Sequence, residues 1–384
     1  TFAKASLAAK GPVDIAVTNA TFCSKGALQF GPTQAAAAST TPFRFLAKDA
    51  LIDQSVKATM DLRGDTAFEF TDCVWTNCCN KSVGNLNTPG YVSRIILHGG
   101  SSCLKEDFHI GCAGAGALVY DGGTHVVDST TFRLGYNNNA TGSLVVSNGT
   151  VTFKSAPIVG HRAGCTGELK LFGGTYVSPN LSAAHSGTAN LIADGGTWKY
   201  SGTAALTVTA FASAVVGDEG FTVDTNGKAL TFDQDFTGTG PLILQGGGSV
   251  AFTSGNTVDV PVIVKGGTEL IPNGVEMKGL TMGDETGAAT LKVDSTKPLT
   301  VDGDVVLTAP KLALDGGMTC PNRDGTKGFG GCIYCSPRGS GDCVANLPSL
   351  RAQYDAGRAA LSSKWDTSAC IAYLQAHTNT FAPA

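Results

Sequence analysis

The sequence ALVYDGGTHVV, residues 117–127, contains a short pattern that recurs along the chain and indicates its architecture. Two short runs of apolar or alternating residues flank a glycine turn, and this arrangement returns five more times along the chain. The later copies are LVVSNGTVTF (144–153), LKLFGGTYVS (169–178), LIADGGTWKY (191–200), LILQGGGSVAF (242–252) and VIVKGGTELI (262–271). Their turn glycines lie 19 to 27 residues apart, with one gap of 52 residues that has room for two units. Repeats at this spacing are typical of a solenoid.

The residues between the turns favour strands, because β-branched side chains alternate with small polar ones and no helical pattern intervenes. We therefore predict a mainly β chain folded as a right-handed parallel β-helix, whose coils bury their apolar faces by stacking. A sandwich or barrel of short antiparallel strands is the alternative. The positions predicted to face inward include Val119, Leu171, Ile192, Leu244 and Ile263.

We expect three parts in the chain. Residues 1–95 form a less regular β region that we interpret as early solenoid coils, because TAFEFTDCVWTNC (66–78) alternates like a solenoid strand. Residues 96–310 hold the β-helix repeats, and residues 311–384 have a different texture. In the early coils, the residues predicted to be buried are Phe68, Phe70, Cys73 and Trp75.

The composition excludes several classes of function. Charged residues are 15% of the 384 and the net charge is −4, without a basic stripe that would neutralise nucleic-acid phosphates. No run of the sequence approaches the ~18 apolar residues of a membrane-spanning helix. Because the chain starts at Thr1, without Met or a signal peptide, we expect a processed or incomplete product whose compartment cannot be read from its start.

The segment TCPNRDGTKGFGGCIYC (319–335) concentrates three of the twelve cysteines, Cys320, Cys332 and Cys335. Soft thiolate ligands suit an iron–sulfur cluster, and three ligands from one loop would leave one iron open to a small molecule. Two other interpretations stay open. One is a structural zinc site completed by Cys343 or His377, and the other is disulfides.

The cysteine loop lies within a predicted α/β layout. A short strand from Lys311 to Leu314 precedes the loop, a helical pattern covers 347–365, and a second strand starts at Ile371. The helix residues predicted to share one face are Leu350, Tyr354 and Leu361.

Two stretches, KLALDGGMTCPNRDGTKGFGGCIYC (311–335) and IAYLQAHTNTFAP (371–383), resemble the opening of the YhcC-like family of radical SAM proteins in order and spacing. The resemblance covers 311–384 and implies a [4Fe–4S] cluster on Cys320, Cys332 and Cys335. It also implies S-adenosylmethionine at the open iron, cleaved reductively to a 5′-deoxyadenosyl radical. The residues that it places beside this cofactor, at the end of the second strand, are Gln375, Thr378 and Asn379.

The segment also departs from the family. Cys343 stands where an aromatic residue is usual, Ala352 where an acidic residue is common, and Leu374 where Phe is usual. The chain stops at Ala384, so we expect most of the family's barrel to be absent and the βαβ piece to have open strand edges. We therefore expect a truncated radical SAM segment that is not catalytically competent alone, with a genuine radical SAM enzyme fragment as the alternative.

The glycine-turn repeats resemble the passenger domains of autotransporters in texture, which implies a surface-exposed, adhesin-like solenoid. A carbohydrate-active β-helix is a further alternative, because such enzymes carry clustered acidic residues on one face. The candidate carboxylates are Asp194, Asp218, Glu219, Asp224, Asp233 and Asp235. Solvated turn carboxylates are the simpler explanation of these six residues. The partner would be a surface ligand or a small-molecule substrate, according to which part of the chain carries the function.

The two parts imply different compartments. A surface solenoid is exported, whereas an oxygen-sensitive cluster belongs in a reducing cytosol, so we expect a fusion, a gene fragment or a mis-assembled reading frame. Cys103 and Cys112 could pair across a turn in an exported chain, and buried thiols are the alternative. The histidines, including His109, His125 and His161, show no ligand spacing.

Overall fold

The computed structural model describes residues 5–7, 12–24, 26–31, 42–54, 59–77, 80–87, 90–129, 131–182, 185–209, 211–284, 286–294, 296–307, 311–317, 320–323, 325–329, 344, 347–365, 367 and 370–374. The chain divides into two compact units. The first comprises 1–264, 268–280 and 291–305, and the second comprises 265–267, 281–290 and 306–384. As predicted, the chain is mainly β: 54% of the described residues are in strands and 4% are in a helix.

The strands are short and follow one another closely. Those of the first half are β1 (Ala5–Leu7), β2 (Val13–Thr18), β3 (Thr21–Cys23), β4 (Leu28–Phe30), β5 (Phe43–Lys48), β6 (Leu51–Gln54), β7 (Thr59–Leu62), β8 (Thr66–Thr71), β9 (Val74–Asn77), β10 (Asn80–Val83), β11 (Val92–His98), β12 (Ser101–Lys105), β13 (Phe108–Ile110), β14 (Ala115–Asp128), β15 (Phe132–Leu134), β16 (Thr141–Phe153), β17 (Ile158–Val159), β18 (Thr166–Leu171) and β19 (Thr175–Ser178). Those of the second half are β20 (Thr188–Ala193), β21 (Thr197–Tyr200), β22 (Leu206–Val208), β23 (Ser213–Val216), β24 (Phe221–Asp224), β25 (Ala229–Phe232), β26 (Phe236–Gly238), β27 (Leu242–Gln245), β28 (Ser249–Phe252), β29 (Val258–Val264), β30 (Glu269–Ile271), β31 (Glu276–Met282), β32 (Thr290–Leu291), β33 (Thr300–Val301), β34 (Val305–Leu307), β35 (Lys311–Leu314) and β36 (Ile371–Leu374). Among the described residues one helix is found, α1 (Leu350–Leu361).

The strands of the first unit stack into three parallel ladders, one per side of each coil. Ladder 1 contains β2, β5, β8, β11, β18, β20, β23 and β26, with the first halves of β14, β16 and β29. Ladder 2 contains β3, β6, β9, β12, β19, β21, β24 and β27, with the second halves of β14, β16 and β29. Ladder 3 runs from β1 through β4, β7, β10, β13 and β15 to β17, and resumes through β22, β25, β28 and β30.

Register partners show the length of a coil. In ladder 1, Val13 pairs with Phe43, which is 30 residues later, and Thr166 pairs with Thr188, which is 22 residues later. The stack amounts to a parallel solenoid of about 11 turns. The predicted parallel solenoid is therefore confirmed and includes the early residues, and the antiparallel sandwich is wrong.

The core lies between the three ladders and is rich in aromatic rings in the early coils. The four side chains predicted to be buried there, Phe68, Phe70, Cys73 and Trp75, are each at most 3% exposed. Trp75 packs edge-on against Phe70 with ring centroids 5.3 Å apart. Its indole N–H donates to Gln54 Oε1 at 3.0 Å, so the buried donor is satisfied.

Two of the five predicted inward positions are right. Leu171 and Leu244 are fully buried, as predicted. The prediction is wrong for Val119, Ile192 and Ile263, which lie on the outer side of their strands. Because side chains alternate across a strand, an error of one residue moves the whole set to the other face. The residues that point inward are the neighbours of these three, namely Leu118, Tyr120, Leu191, Ala193, Val262 and Val264.

Four of the recurrent glycine turns form the corner between ladders 1 and 2, namely those at Gly122, Gly149, Gly173 and Gly195. At Gly149 the backbone has φ +75°, and an added Cβ would lie 2.5 Å from the carbonyl carbon of Gly122 in the preceding coil. Glycine is required here because the corners of successive coils touch through their backbones. Gly247 and Gly266 belong to a different corner, since each joins a strand of ladder 2 to a strand of ladder 3. The 52-residue gap arises because the turn between β23 and β24 continues the first corner there.

The second unit contains a strand, a helix and a second strand in the predicted order, β35, α1 and β36. Strand β35 pairs in parallel with β36, with Lys311 opposite Ile371 and Leu314 opposite Leu374. Helix α1 begins after Ser349, whose side chain accepts a hydrogen bond from the Ala352 N–H. Within the described residues, no helix has the length and apolar character that crossing a membrane requires.

Candidate functional site

Helix α1 packs against strand β35, and the two lie on either side of the cysteine segment in sequence. An added Cβ at Gly357 would lie 3.1 Å from Leu312 Cδ2, so glycine lets the helix approach the strand closely. Leu312 and Leu314 are buried on this side of β35. The predicted helix face is partly wrong, because Leu350 is 46% exposed while Gln353 is 7% exposed.

Gln353 hydrogen-bonds to both ends of the segment that carries the cysteines, at Asp315 and at Leu347. Its Oε1 accepts from the Asp315 N–H at 2.7 Å, and its Nε2 donates to the Asp315 carbonyl at 3.2 Å. The same amide nitrogen donates to the Leu347 carbonyl at 3.1 Å. One buried side chain thus ties together the two ends of the segment 315–347. Sequence reasoning missed this role, because the partners are backbone groups 38 and 6 residues away.

The first cysteine of the loop, Cys320, is a free, half-buried thiol. Its carbonyl accepts from the Arg323 N–H at 2.8 Å, and the Pro321 carbonyl accepts from the Lys327 N–H at 2.7 Å. The chain after Cys320 is therefore curled into tight turns. A reduced thiol beside such turns has the donor chemistry of an iron–sulfur ligand, since thiolate sulfur is the ligand that these clusters take.

The other predicted site residues lie outside the described residues. They are Cys332, Cys335, Gln375, Thr378 and Asn379, together with the proposed zinc ligands Cys343 and His377. Gln375 follows Leu374 in sequence, and Leu374 is the register partner of Leu314, so the chain leaves both strands at the same sheet edge. Among the residues that the structure describes, no group of three or more His, Cys, Asp or Glu could hold a metal ion.

The described cysteines of the solenoid are free. Cys103 and Cys112, the pair considered for a disulfide, are both unpaired. Cys73, Cys112 and Cys165 are buried, which agrees with the alternative of thiols within the stack. Burial raises the pKa of the Cys112 thiol, so it is a poor nucleophile.

Three of the six solenoid carboxylates considered for carbohydrate chemistry accept backbone hydrogen bonds at turns. Asp194 Oδ1 accepts from the Glu219 N–H at 2.8 Å, and Asp235 Oδ1 accepts from the Thr257 N–H at 2.7 Å. Asp224 Oδ1 accepts from the N–H of Asn226 at 2.9 Å. These bonds satisfy backbone donors at the corners, as expected of turn carboxylates.

Ser102 and His125 form a contact inside the solenoid that resembles a catalytic serine–histidine pair, but neither side chain is accessible to solvent. Ser102 Oγ lies 3.0 Å from His125 Nδ1, and His125 Nε2 lies 2.8 Å from the Gly122 carbonyl. Both side chains are at most 5% exposed. Burial lowers the pKa of His125, which keeps the imidazole neutral. The pair therefore stabilises the interior and cannot meet a substrate.

Three aromatic rings from successive coils stack on the outside of the solenoid. The His109 and Tyr136 centroids are 4.2 Å apart with planes 7° apart, and those of Tyr136 and His161 are 5.1 Å apart with planes 18° apart. Arg133 and Arg162 lie over Tyr136, with their guanidinium carbons 5.3 and 4.8 Å from its centroid. We call these five residues the stacked cluster. Sequence reasoning missed it, because the histidines align only when the chain is read at the coil spacing of 25 to 27 residues.

Comparisons with known proteins address a small part of the chain. No protein-family profile and no solved structure matches it. Over 74 residues, 19% of this chain, it is 50% identical to the uncharacterised protein YtqA of Bacillus subtilis, of which the match covers 23%. Over 72 residues it is 43% identical to the protein YhcC of Escherichia coli K12, of which the match covers 22%. The chain thus spans less than a quarter of the curated relatives' length.

Proposed function

We propose that residues 311–384 bind a [4Fe–4S] cluster through the thiolates of Cys320, Cys332 and Cys335, with S-adenosylmethionine at the remaining iron. The observation that carries the proposal is the 50% identity over 74 residues to YtqA, a stretch equal in length to this segment. When bound, such a cluster supplies an electron for reductive cleavage of its cofactor. The radical SAM affiliation itself comes from the resemblance of the two sequence stretches.

Residues of the same segment would hold the cluster site in position. Gln353, on α1, hydrogen-bonds to both ends of the segment 315–347. The parallel strands β35 and β36 end side by side, because Leu314 lies opposite Leu374. In parallel α/β layouts, binding groups gather at this end of the strands. Cys320 contributes a free thiol to the loop. We further propose that Gln375, Thr378 and Asn379 contact the cofactor and that the segment does not catalyse turnover by itself.

Anaerobic reconstitution of the full chain with iron and sulfide tests the cluster. We expect about four iron and four sulfide per chain, a brown colour, and loss of both on Cys320→Ser or Cys332→Ser. Cys370→Ser is the matched control, since Cys370 is another free, half-buried thiol of the same segment. Iron binding that survives Cys320→Ser and Cys332→Ser, or zinc in place of iron in the purified chain, would contradict the proposal. Formation of 5′-deoxyadenosine by the chain alone would overturn the claim that it is incompetent.

A second function belongs to the solenoid, which we propose serves as a surface-exposed, adhesin-like scaffold. The parallel stack of about 11 turns supports this role, because solenoids present long, regular binding faces. The carbohydrate-active alternative is weaker, because Asp194, Asp224 and Asp235 accept backbone hydrogen bonds at turns.

The scaffold role is tested by retention of the whole chain on a panel of immobilised polysaccharides and extracellular matrix proteins. We expect specific, saturable retention on at least one member of the panel. If the folded chain is retained on none, the adhesive role is wrong.

A further inference from the structure

The two arginines of the stacked cluster, Arg133 and Arg162, form no ion pair with a described carboxylate. Arg162 donates from Nη1 to Asn137 Oδ1 at 3.1 Å and from Nη2 to Tyr136 Oη at 3.5 Å, both neutral acceptors. Arg133 donates from Nη1 to His109 Nε2 at 2.6 Å. Elsewhere in the described solenoid, Arg44 and Arg63 form ion pairs with Asp65 and Asp61. The two arginines of the stacked cluster are therefore unlike these two.

The histidines of the cluster add no charge near neutral pH. Burial, and then the positive charge of Arg133, lower the pKa of His109 to about 4. The same two causes lower the pKa of His161. The carboxylate that acts on His109 is Asp107, which forms no ion pair with a described cation. The cluster thus presents two guanidinium charges on a neutral stack.

The two charges lie close together. Both guanidinium carbons are within 5.3 Å of the Tyr136 centroid, so they are separated by about 10 Å at most. At that distance two like charges repel each other, and the repulsion is stronger in a partly buried setting than in open water. An anion between them would relieve this repulsion and accept hydrogen bonds from both forks.

The placement of the cluster indicates an extended ligand. Arg133 is on β15, whose register partner β17 belongs to the coil that leads into Arg162. The two guanidiniums therefore come from successive coils, and the rings of three coils form a line along the solenoid axis. The cluster is half-buried to exposed, so it is open to solvent along this line. Buried polar atoms with no partner in the described chain, Arg133 Nε and His161 Nδ1, lie in the same cluster.

We propose that the stacked cluster is a binding site for an acidic polysaccharide, whose carboxylate or sulfate groups pair with Arg133 and Arg162. The polymer would run along the solenoid axis, with polar side chains such as Asn137 donating to its hydroxyl groups. The proposal rests on the scaffold role proposed for the solenoid and is independent of the iron–sulfur proposal.

The test is calorimetric titration of the full chain with polygalacturonate, which carries carboxylates, with dextran sulfate, which carries sulfates, and with unsubstituted dextran. We expect one or both acidic polymers to bind and dextran not to bind. Arg162→Gln should weaken binding at least tenfold, as expected for the loss of a charge-assisted hydrogen bond. Arg133→Gln should have a similar effect. The two acidic polymers decide which anionic group the site prefers.

Arg94→Gln is the matched control, because Arg94 is exposed on β11 in ladder 1 and lies outside the cluster. Its substitution should leave the affinity within twofold of the original. Binding that is unchanged in both cluster variants, or equally weakened by Arg94→Gln, would overturn the site while leaving the scaffold role standing. Failure of both acidic polymers to bind would also overturn the site. The scaffold role fails separately, if no surface of the wider panel retains the chain.

Discussion

The corner glycine Gly149 gives a sharp test of how the coils stack. Its φ is +75°, and an added Cβ would lie 2.5 Å from backbone atoms of Gly122 and Gly123. Gly227 is a matched control within the same solenoid, because its φ is also +75° while no atom lies within 4 Å of an added Cβ. The substitutions Gly149→Ala and Gly227→Ala therefore impose the same backbone strain and differ in the contact between coils.

The structure sets the size of the difference. A left-handed conformation costs an alanine about 1–2 kcal/mol, and this cost is common to both variants. Gly149→Ala adds a clash with the neighbouring coil, whose backbone is held by ladder hydrogen bonds and cannot retreat freely. Overpacking of this kind costs about 1–3 kcal/mol. We therefore expect a loss in the free energy of unfolding of about 1–2 kcal/mol for Gly227→Ala and about 2–5 kcal/mol for Gly149→Ala.

Urea and thermal unfolding followed by far-ultraviolet circular dichroism would measure the two losses. Hydrogen exchange locates the effect, since the Thr124 N–H donates to the Gly100 carbonyl beside this corner and should exchange faster in Gly149→Ala. Equal losses in the two variants would contradict a contact between coils at Gly149, because they would mean that only backbone conformation requires glycine at this corner.

Three further outcomes are expected. Trp198→Ala should lower the free energy of unfolding by about 3–5 kcal/mol, because the side chain is fully buried, whereas Phe172→Ala, whose ring is 44% exposed, should change it by less than about 1 kcal/mol in the same denaturation assay. Gln353→Leu should cost about 2–4 kcal/mol, since it leaves the Asp315 N–H without its acceptor, and should speed proteolysis of the cysteine loop. The folded state favours the neutral form of His109, whose pKa is lowered to about 4. The contribution of this residue to the free energy of unfolding is therefore complete above pH 6.5 and is lost as the pH falls from 6.5 toward 4. After allowance for solvent screening the loss is about 1–2 kcal/mol, and His109→Gln, which keeps an acceptor for Arg133, should remove this part of the acid sensitivity in urea unfolding at pH 7 and pH 4.5. Equal acid sensitivity of the unsubstituted protein and His109→Gln would contradict a lowered pKa of His109 in the fold.

The repeat pattern predicted the architecture well because each coil carries its own local signals. Glycine corners and short β-branched runs define where a coil turns and where it is extended, and both signals are readable without tertiary contacts. The phase of individual strands was harder to predict. Val119 and Ile192 are apolar but face outward, because the coil has apolar residues on both sides of these strands and alternation alone does not choose between them.

Of the candidate sites, one could be predicted from the sequence and two could not. The cysteine motif was visible as a spacing. Cys320 is a free thiol and Cys332 and Cys335 lie outside the described residues, so a cluster on these three residues stays a prediction. The role of Gln353 was not visible, since its partners are backbone atoms at the two ends of a long loop. The stacked cluster was equally hidden, because its members come from three different coils.

The order of residues along the chain determined that this protein builds short strands, turns at glycine, and stacks its coils in parallel. That much follows from local conformational preference and from the need of each apolar face to be covered by the next coil. Which side chains from different coils share a surface depends on how the coils stack in the folded protein. His109, Tyr136 and His161 meet because the number of residues in each intervening coil brings them into line, a property of the whole coil and of no single stretch within it.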